Sequence, residues 1–131
     1  MTSDEHAPVL DQAFDASSLS ALRASLRAFA LRAGMPADRA TDVVIALHEL
    51  AANAVRHGAG SGRLQIWDRV GTLHCHVDDN GRAVNAAASG NLADGWSREA
   101  GHGLWLAGQI ADQLTLSSDQ HGTRAVITFS L

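Results

Sequence analysis

The stretch HELAANAVRHG, His48 to Gly58, decides how the rest of the chain is understood. Leu47, Leu50, Ala51 and Ala54 recur at helical spacing and can face a core, whereas Glu49, Asn53 and His57 step by four along another stripe. The stretch is therefore expected to close a long helix with one packing face and one polar face. A carboxylate and a carboxamide one turn apart suit an oxygen-ligated magnesium site, with Asn53 lending its carbonyl oxygen and Glu49 orienting a water or hydroxyl. The same spacing also serves a solvated helix face. The helix by itself leaves both readings open.

Working back from it, Val43 and Val44 extend the apolar stripe, and Pro36 with Asp38 opens the helix, where a missing N–H and a negative charge are tolerated or favoured. Gly34 stops an earlier helix as a left-handed C-cap. That helix carries Leu19, Leu22, Leu26 and Phe29 on one side, with Asp15, Ser17 and Ser18 as N-cap candidates and Arg23, Arg27 and Arg32 lying largely elsewhere. Pro8 to Phe14 is expected to form an edge strand, and residues 1–7 a polar, frayed tail ahead of one domain spanning 8–131.

Working forward, Gly58 to Gly62 must turn. Arg63 to Val70 and Thr72 to Asp79 alternate like two strands joined at Gly71. Leu73, Cys75, Val77 and Asp79 share one face, so the Asp79 carboxylate is aimed inward, where it needs a hydrogen-bonding partner. Capping of the Asn80–Gly81 turn is the competing reading. Arg82 to Ala100 has little periodicity and is long for a connection, as a lid or a disordered loop would be. In GHGLWLAGQIAD, Gly101 to Asp112, two glycines open onto a helix whose free N–H groups and dipole would accept an anion such as phosphate, although paired glycines also occur in ordinary loops. Leu114 and Leu116 point to a further strand, and after a turn at Gln120 to Gly122, alternation from Thr123 to Leu131 marks a terminal one.

Composition narrows the function classes. At 131 residues with 46% hydrophobic content, the chain suits one domain with a real core. Its net charge of −4, with Arg supplying every basic side chain and no basic run, argues against direct nucleic-acid binding. No apolar run approaches the roughly 20 residues of a membrane span, and a signal-peptide pattern is missing, so a cytoplasmic protein is expected. Cys75, the lone cysteine, falls in an apolar-alternating run and is expected as buried filler. Metal-bound hydrolysis lacks support, because Ala52 stands where a zinc-protease motif beginning at His48 needs its second His. His74 and His76 share a strand face without further ligands at suitable spacing. A Walker phosphate loop needs a Lys, and the chain has none.

Taken in order, HELAANAVRHG, VDDNG, GHGLWLAGQIAD and the closing HGTRAVITFSL resemble the N, G1 and G2 boxes and final strand of the GHKL ATPases, the superfamily of DNA gyrase, histidine kinases, MutL and a heat-shock chaperone. The resemblance runs from about Phe14 onward. Within the superfamily, the short length and compact lid resemble the anti-sigma factor serine/threonine kinases, especially small stand-alone actinobacterial ones. It implies an α/β fold of the Bergerat type: a two-layer α/β sandwich with a mixed, mostly antiparallel sheet, helices on one face, and ATP and Mg2+ between the long helix and the lid. Residue by residue, Asn53 matches the magnesium-binding Asn, Glu49 the catalytic Glu and Asp79 the acceptor of the adenine amino group. Gly81, Gly101 and Gly103, with Leu104 beside them, match positions along base and phosphates, and Thr123 matches a Thr near the adenine. The chain departs from the pattern at Ala83, where a second glycine is expected, and in having no Lys near the phosphates, which leaves Arg56, Arg98, His57 and His102 as candidates to neutralise charge.

The implied function is an ATP-binding anti-sigma regulator that phosphorylates a Ser or Thr of an antagonist protein and otherwise sequesters a sigma factor. A partner-docking module without phosphotransfer is the alternative, followed by a histidine kinase catalytic domain. A homodimer through the first helix and adjacent strand fits the family, but Leu19, Leu22, Leu26 and Phe29 are equally explained as core.

Overall fold

Alternating strands must turn their apolar residues toward one layer, and the sheet and helices here meet on that condition. The computed structural model describes residues 7–57, 60–79, 102–119 and 122–130, with side chains at all of these except 57, 102–105, 118 and 119. The tail apart from Ala7, the 82–100 connection, the Asn80–Gly81 turn and the Gln120–His121 turn lie outside the described residues.

Strand β1 (Leu10–Asp15) leads through a 3-10 turn (Ala16–Ser18) into α1 (Leu19–Arg32) and α2 (Ala37–His57). Strands β2 (Ser61–Arg69) and β3 (Thr72–Asp79) follow, then α3 (His102–Ile110), β4 (Gln113–Asp119) and β5 (Gly122–Ser130). The five strands lie in the order β1-β2-β3-β5-β4, and each pairing is antiparallel. The expected two-layer sandwich is therefore present, and the mixed sheet narrows to an antiparallel one among the described residues. With β1 at one margin, the edge-strand expectation holds, shifted by two residues at its start.

The helix-facing side of the sheet carries Leu64, Ile66, Leu73, Cys75, Val77, Ala125, Ile127 and Phe129, all fully buried. Against them pack Val43, Leu47, Leu50 and Ala54 of α2 and Leu22, Leu26 and Ala30 of α1. Each large apolar side chain so enclosed contributes about 1.5–3 kcal/mol. Leu22 and Leu26 are thereby committed to the chain's own core. Burial pushes the Cys75 thiol far above its ordinary value, making it the inert filler its position implied. Helix α2 occupies the centre of the helical layer, flanked by α1 and α3 and lying over β2, β3 and β5. Its alanines at 40, 46, 51 and 54, all fully buried, keep that crowded position free of clashes.

Local chemistry sets the boundaries. Asp15 accepts from Ser17 N at 2.9 Å while Ser18 Oγ accepts from Asp15 N at 2.9 Å, a reciprocal cap on the 3-10 turn rather than on α1 itself. At the far end of α1, Gly34 takes φ +96°. Its N–H reaches Leu31 O at 3.1 Å and Met35 N reaches Ala30 O at 3.1 Å, the paired bonds of a Schellman stop. On the outer sheet face, Arg63 pairs with Asp11 at 2.6 Å and Arg124 with Asp78 at 2.6 Å, tying neighbouring strands together. No helix among the described residues is long and apolar enough to cross a membrane.

The β2–β3 turn places both central residues at positive φ, Val70 at 53° and Gly71 at 81°. This is the geometry that suits a right-twisted hairpin, but a β-branched residue enters it at a cost. Val70 is fully exposed, so nothing it packs against offsets that cost. Replacing Val70 with Asn is expected to stabilise the protein by about 1 kcal/mol, read as a raised urea midpoint at unchanged m-value.

Candidate functional site

Three residues, 58–60, separate α2 from β2, and Gly60 N donates to Ala54 O at 3.4 Å. So short a link sets the start of β2 beside the carboxyl end of α2. Gly62 pairs with Phe14 on one side and with Asp79 on the other. Continuing the β3–β5 register by one residue beyond Asp78–Arg124 sets Thr123 opposite Asp79. The inner row at this end of the sheet is therefore Phe14, Gly62, Asp79, Thr123, directly beneath the last turns of α2. Helix α3 approaches the same region. Ile110 O, at its carboxyl end, accepts from Arg39 Nη1 in the first turn of α2 at 3.3 Å, and α3 packs along α2. It therefore runs antiparallel to α2, so that its backbone begins toward the carboxyl half of α2.

Three polar side chains are buried where these elements meet: Asn53 at 0% exposure, Thr123 at 2% and Asp79 at 5%. Asp79 thus points inward as the strand parity required. The complete burial of Asn53 sets aside the solvated-face reading of its stripe at this position. Because α2 is covered by α1, α3 and the sheet, Asn53 is enclosed, while Glu49, one turn earlier, is half exposed. The Asn53 carbonyl oxygen Oδ1 accepts from Arg56 Nη2 at 3.2 Å. Asn53 Nδ2 and Thr123 Oγ1 are buried and make no hydrogen bond among the described residues. Unsatisfied buried groups carry a penalty of about 1–3 kcal/mol each. Among the described residues neither atom finds a partner, and both lie at this end of the helix–sheet interface.

Gly81, Arg98 and Gly101 lie outside the described residues, and for His57, His102, Gly103 and Leu104 the helical backbone alone is described. Two features escaped the sequence reading. Gly62 was assigned to the turn, yet it lies inside β2, paired on both sides. A Cβ there would collide with the Asp78 carbonyl oxygen and stand 2.6 Å from Phe14 Cζ, so the Phe14 ring occupies the space that a side chain would need. An isolated glycine at a strand start was the available signal. The Arg56–Asn53 bond was also missed, although their i,i+3 spacing permitted it. Elsewhere, a cavity of about 320 Å³ lined by Ala33, Gly34, Met35, Pro36, Arg39 and Ser130 lies at the opposite end of α2. The Arg39 guanidinium beside it is committed to Ile110 O and Ser130 O.

The description of the histidine kinase-like ATPase domain matches residues 13–129. The chain belongs to that family. Membership implies that this ATPase domain binds ATP. No curated protein sequence matches it. Among solved structures it is similar to the RsbU and RsbW domains of Rv1364c from Mycobacterium tuberculosis, with 22% identity and a TM-score of 0.68. That match covers 95% of this chain and 33% of the other, so the ATPase domain spans about a third of that protein's length, and the likeness is one of fold.

Gly62→Ala is expected to cost about 2–3 kcal/mol of stability by overpacking against Phe14 and the Asp78 backbone, measured by chemical denaturation. A second expectation concerns pH. Burial holds the His48 imidazole below its ordinary value of 6.5, Arg23 pushing the same way and Glu49 opposing. Burial likewise lowers His76, with Arg124 adding to it. Folding thus favours the neutral imidazoles, a contribution fully present above the unfolded value and lost as pH falls through it toward the depressed folded values. Stability should fall as pH is lowered through the ordinary imidazole value of 6.5, and His48→Gln should flatten part of that fall in thermal melts.

Proposed function

We propose that this ATPase domain is a magnesium-dependent protein serine/threonine kinase that phosphorylates an antagonist protein and, when free of it, sequesters a sigma factor. The observation that carries the nucleotide half is the buried row of Asn53, Asp79 and Thr123 at one end of the helix–sheet interface, with Glu49 one turn from Asn53. The donor set fits the nucleotide. A buried carboxylate suits the exocyclic amine of adenine and rejects guanine, which places an acceptor there. The unsatisfied Thr123 hydroxyl beside it offers one more polar contact to the base.

Asn53 would lend its carbonyl oxygen to Mg2+, which when bound neutralises the phosphates and orients the transferred group. Glu49, less enclosed than Asn53, is the base that receives the proton of the incoming Ser or Thr hydroxyl. The amino-terminal turn of α3, which holds Gly103, would offer free N–H groups and a positive dipole to the phosphates. His57, Arg98 and His102 are the further candidates to share that charge. The resemblance of the ordered motifs to anti-sigma factor kinases supplies the partner classes, and with them a cytoplasmic setting.

Calorimetry with Mg-ATP should show saturable binding that Asp79→Asn weakens by about 10- to 100-fold, the worth of one hydrogen bond to a charged group. Glu49→Ala should retain binding and lose transfer to the antagonist. Persistent failure to form phosphoserine or phosphothreonine with candidate antagonists, while ATP still binds, would remove the kinase half and leave a docking module.

A further inference from the structure

The Arg56–Asn53 contact has no role in the proposed chemistry, yet it involves the very oxygen that the chemistry needs. Asn53 is wholly enclosed, and its Nδ2 makes no hydrogen bond among the described residues. Its Oδ1 is held by Arg56 Nη2 at 3.2 Å, from an exposed side chain one helical turn further on. The amide is thus gripped from the solvent side and not from the interior. A guanidinium and a divalent cation carry like charge, and hydrogen bonding and coordination to one carbonyl oxygen would set them within a few ångströms of each other. Magnesium also demands near-ideal octahedral geometry and surrenders its waters reluctantly, so it does not share a ligand atom with a cation on easy terms.

We infer that Arg56 is a placeholder for the metal: its guanidinium holds Asn53 Oδ1 while the site is metal-free and has to leave before magnesium takes that oxygen. The inference rests on the proposed nucleotide site and adds to it a competitor within the chain. Arg56 presents the carbonyl oxygen outward, since an acceptor must face the donor. It also lowers the metal's apparent affinity by the strength of the bond to be broken. Because Arg56 is exposed, leaving exchanges one hydrogen bond for water and disturbs no core packing.

The test is calorimetric and needs no phosphotransfer. ATP binding is measured in EDTA and in excess Mg2+ for the native chain, Arg56→Ala, Arg56→Gln and Arg56→Lys, with circular dichroism confirming the fold. The quantity read is the ratio of the dissociation constant without metal to that with metal. Removing the competitor should raise this ratio about three- to tenfold in Arg56→Ala and in Arg56→Gln, while Arg56→Lys, which keeps the charge, should stay nearer the native value. An unchanged ratio, with both affinities weakened alike, would make Arg56 a phosphate contact and overturn the inference while leaving the ATP site intact. A lowered ratio would make Arg56 a support for the metal and overturn it equally. A native chain that binds ATP in neither condition would bring down the nucleotide site and this inference together.

Discussion

A helix covered on three sides leaves only its fourth side to water, and that constraint on α2 organises everything else. Flanked by α1 and α3 and seated on the sheet, α2 encloses Asn53 completely at a point where an ordinary amphipathic helix would expose it. Desolvating a carboxamide is costly unless its donors and acceptor are met. Here one atom is met by Arg56 and the other is not. Stability alone would favour an apolar residue at that position. Under the proposed function that cost prepares a ligand site, where binding would recover what folding left unsatisfied.

The sheet brings the complementary groups to the same end. A three-residue link between α2 and β2, a tight hairpin at Val70–Gly71 and the β3–β5 register together put Asp79 and Thr123 under the carboxyl end of α2. Gly62 and Phe14 complete the row from the other side, the ring filling the space over the glycine. The opposite end of α2 is closed by Arg39, whose guanidinium lies 5.7 Å from the Phe129 ring and bonds the ends of α3 and β5. One end of the interface is thus tied by the bonds of Arg39, while the other gathers the buried polar side chains of Asn53, Asp79 and Thr123.

Much of this was legible in the sequence, for identifiable reasons. Parity along Thr72–Asp79 is a property of the strand alone, so the inward aim of Asp79 followed from alternation. Gly34 ended α1 because the left-handed stop is a local demand, and Leu22 and Leu26 fell on the buried stripe because helical period is local too. The start of β2 was missed because Gly58 to Gly62 looks uniform in composition, and only pairing with Phe14 and Asp79 separates Gly62 from the turn. Asp15 caps the short 3-10 turn and not α1, a distinction of backbone geometry that residue preference does not resolve.

By itself the sequence determined the elements, their order, the faces they bury and the family-like succession of motifs, since each depends on period, turn chemistry or spacing within a short window. Only the tertiary structure decided that Asn53 is enclosed, that Thr123 stands opposite Asp79, that Phe14 covers Gly62, and that Arg56 holds the carbonyl oxygen of Asn53. Three of these facts depend on how separate elements stack, and the fourth on which rotamer a long, exposed side chain adopts beside a buried amide. Burial and partnership are properties of the assembled layers, and no local pattern carries them.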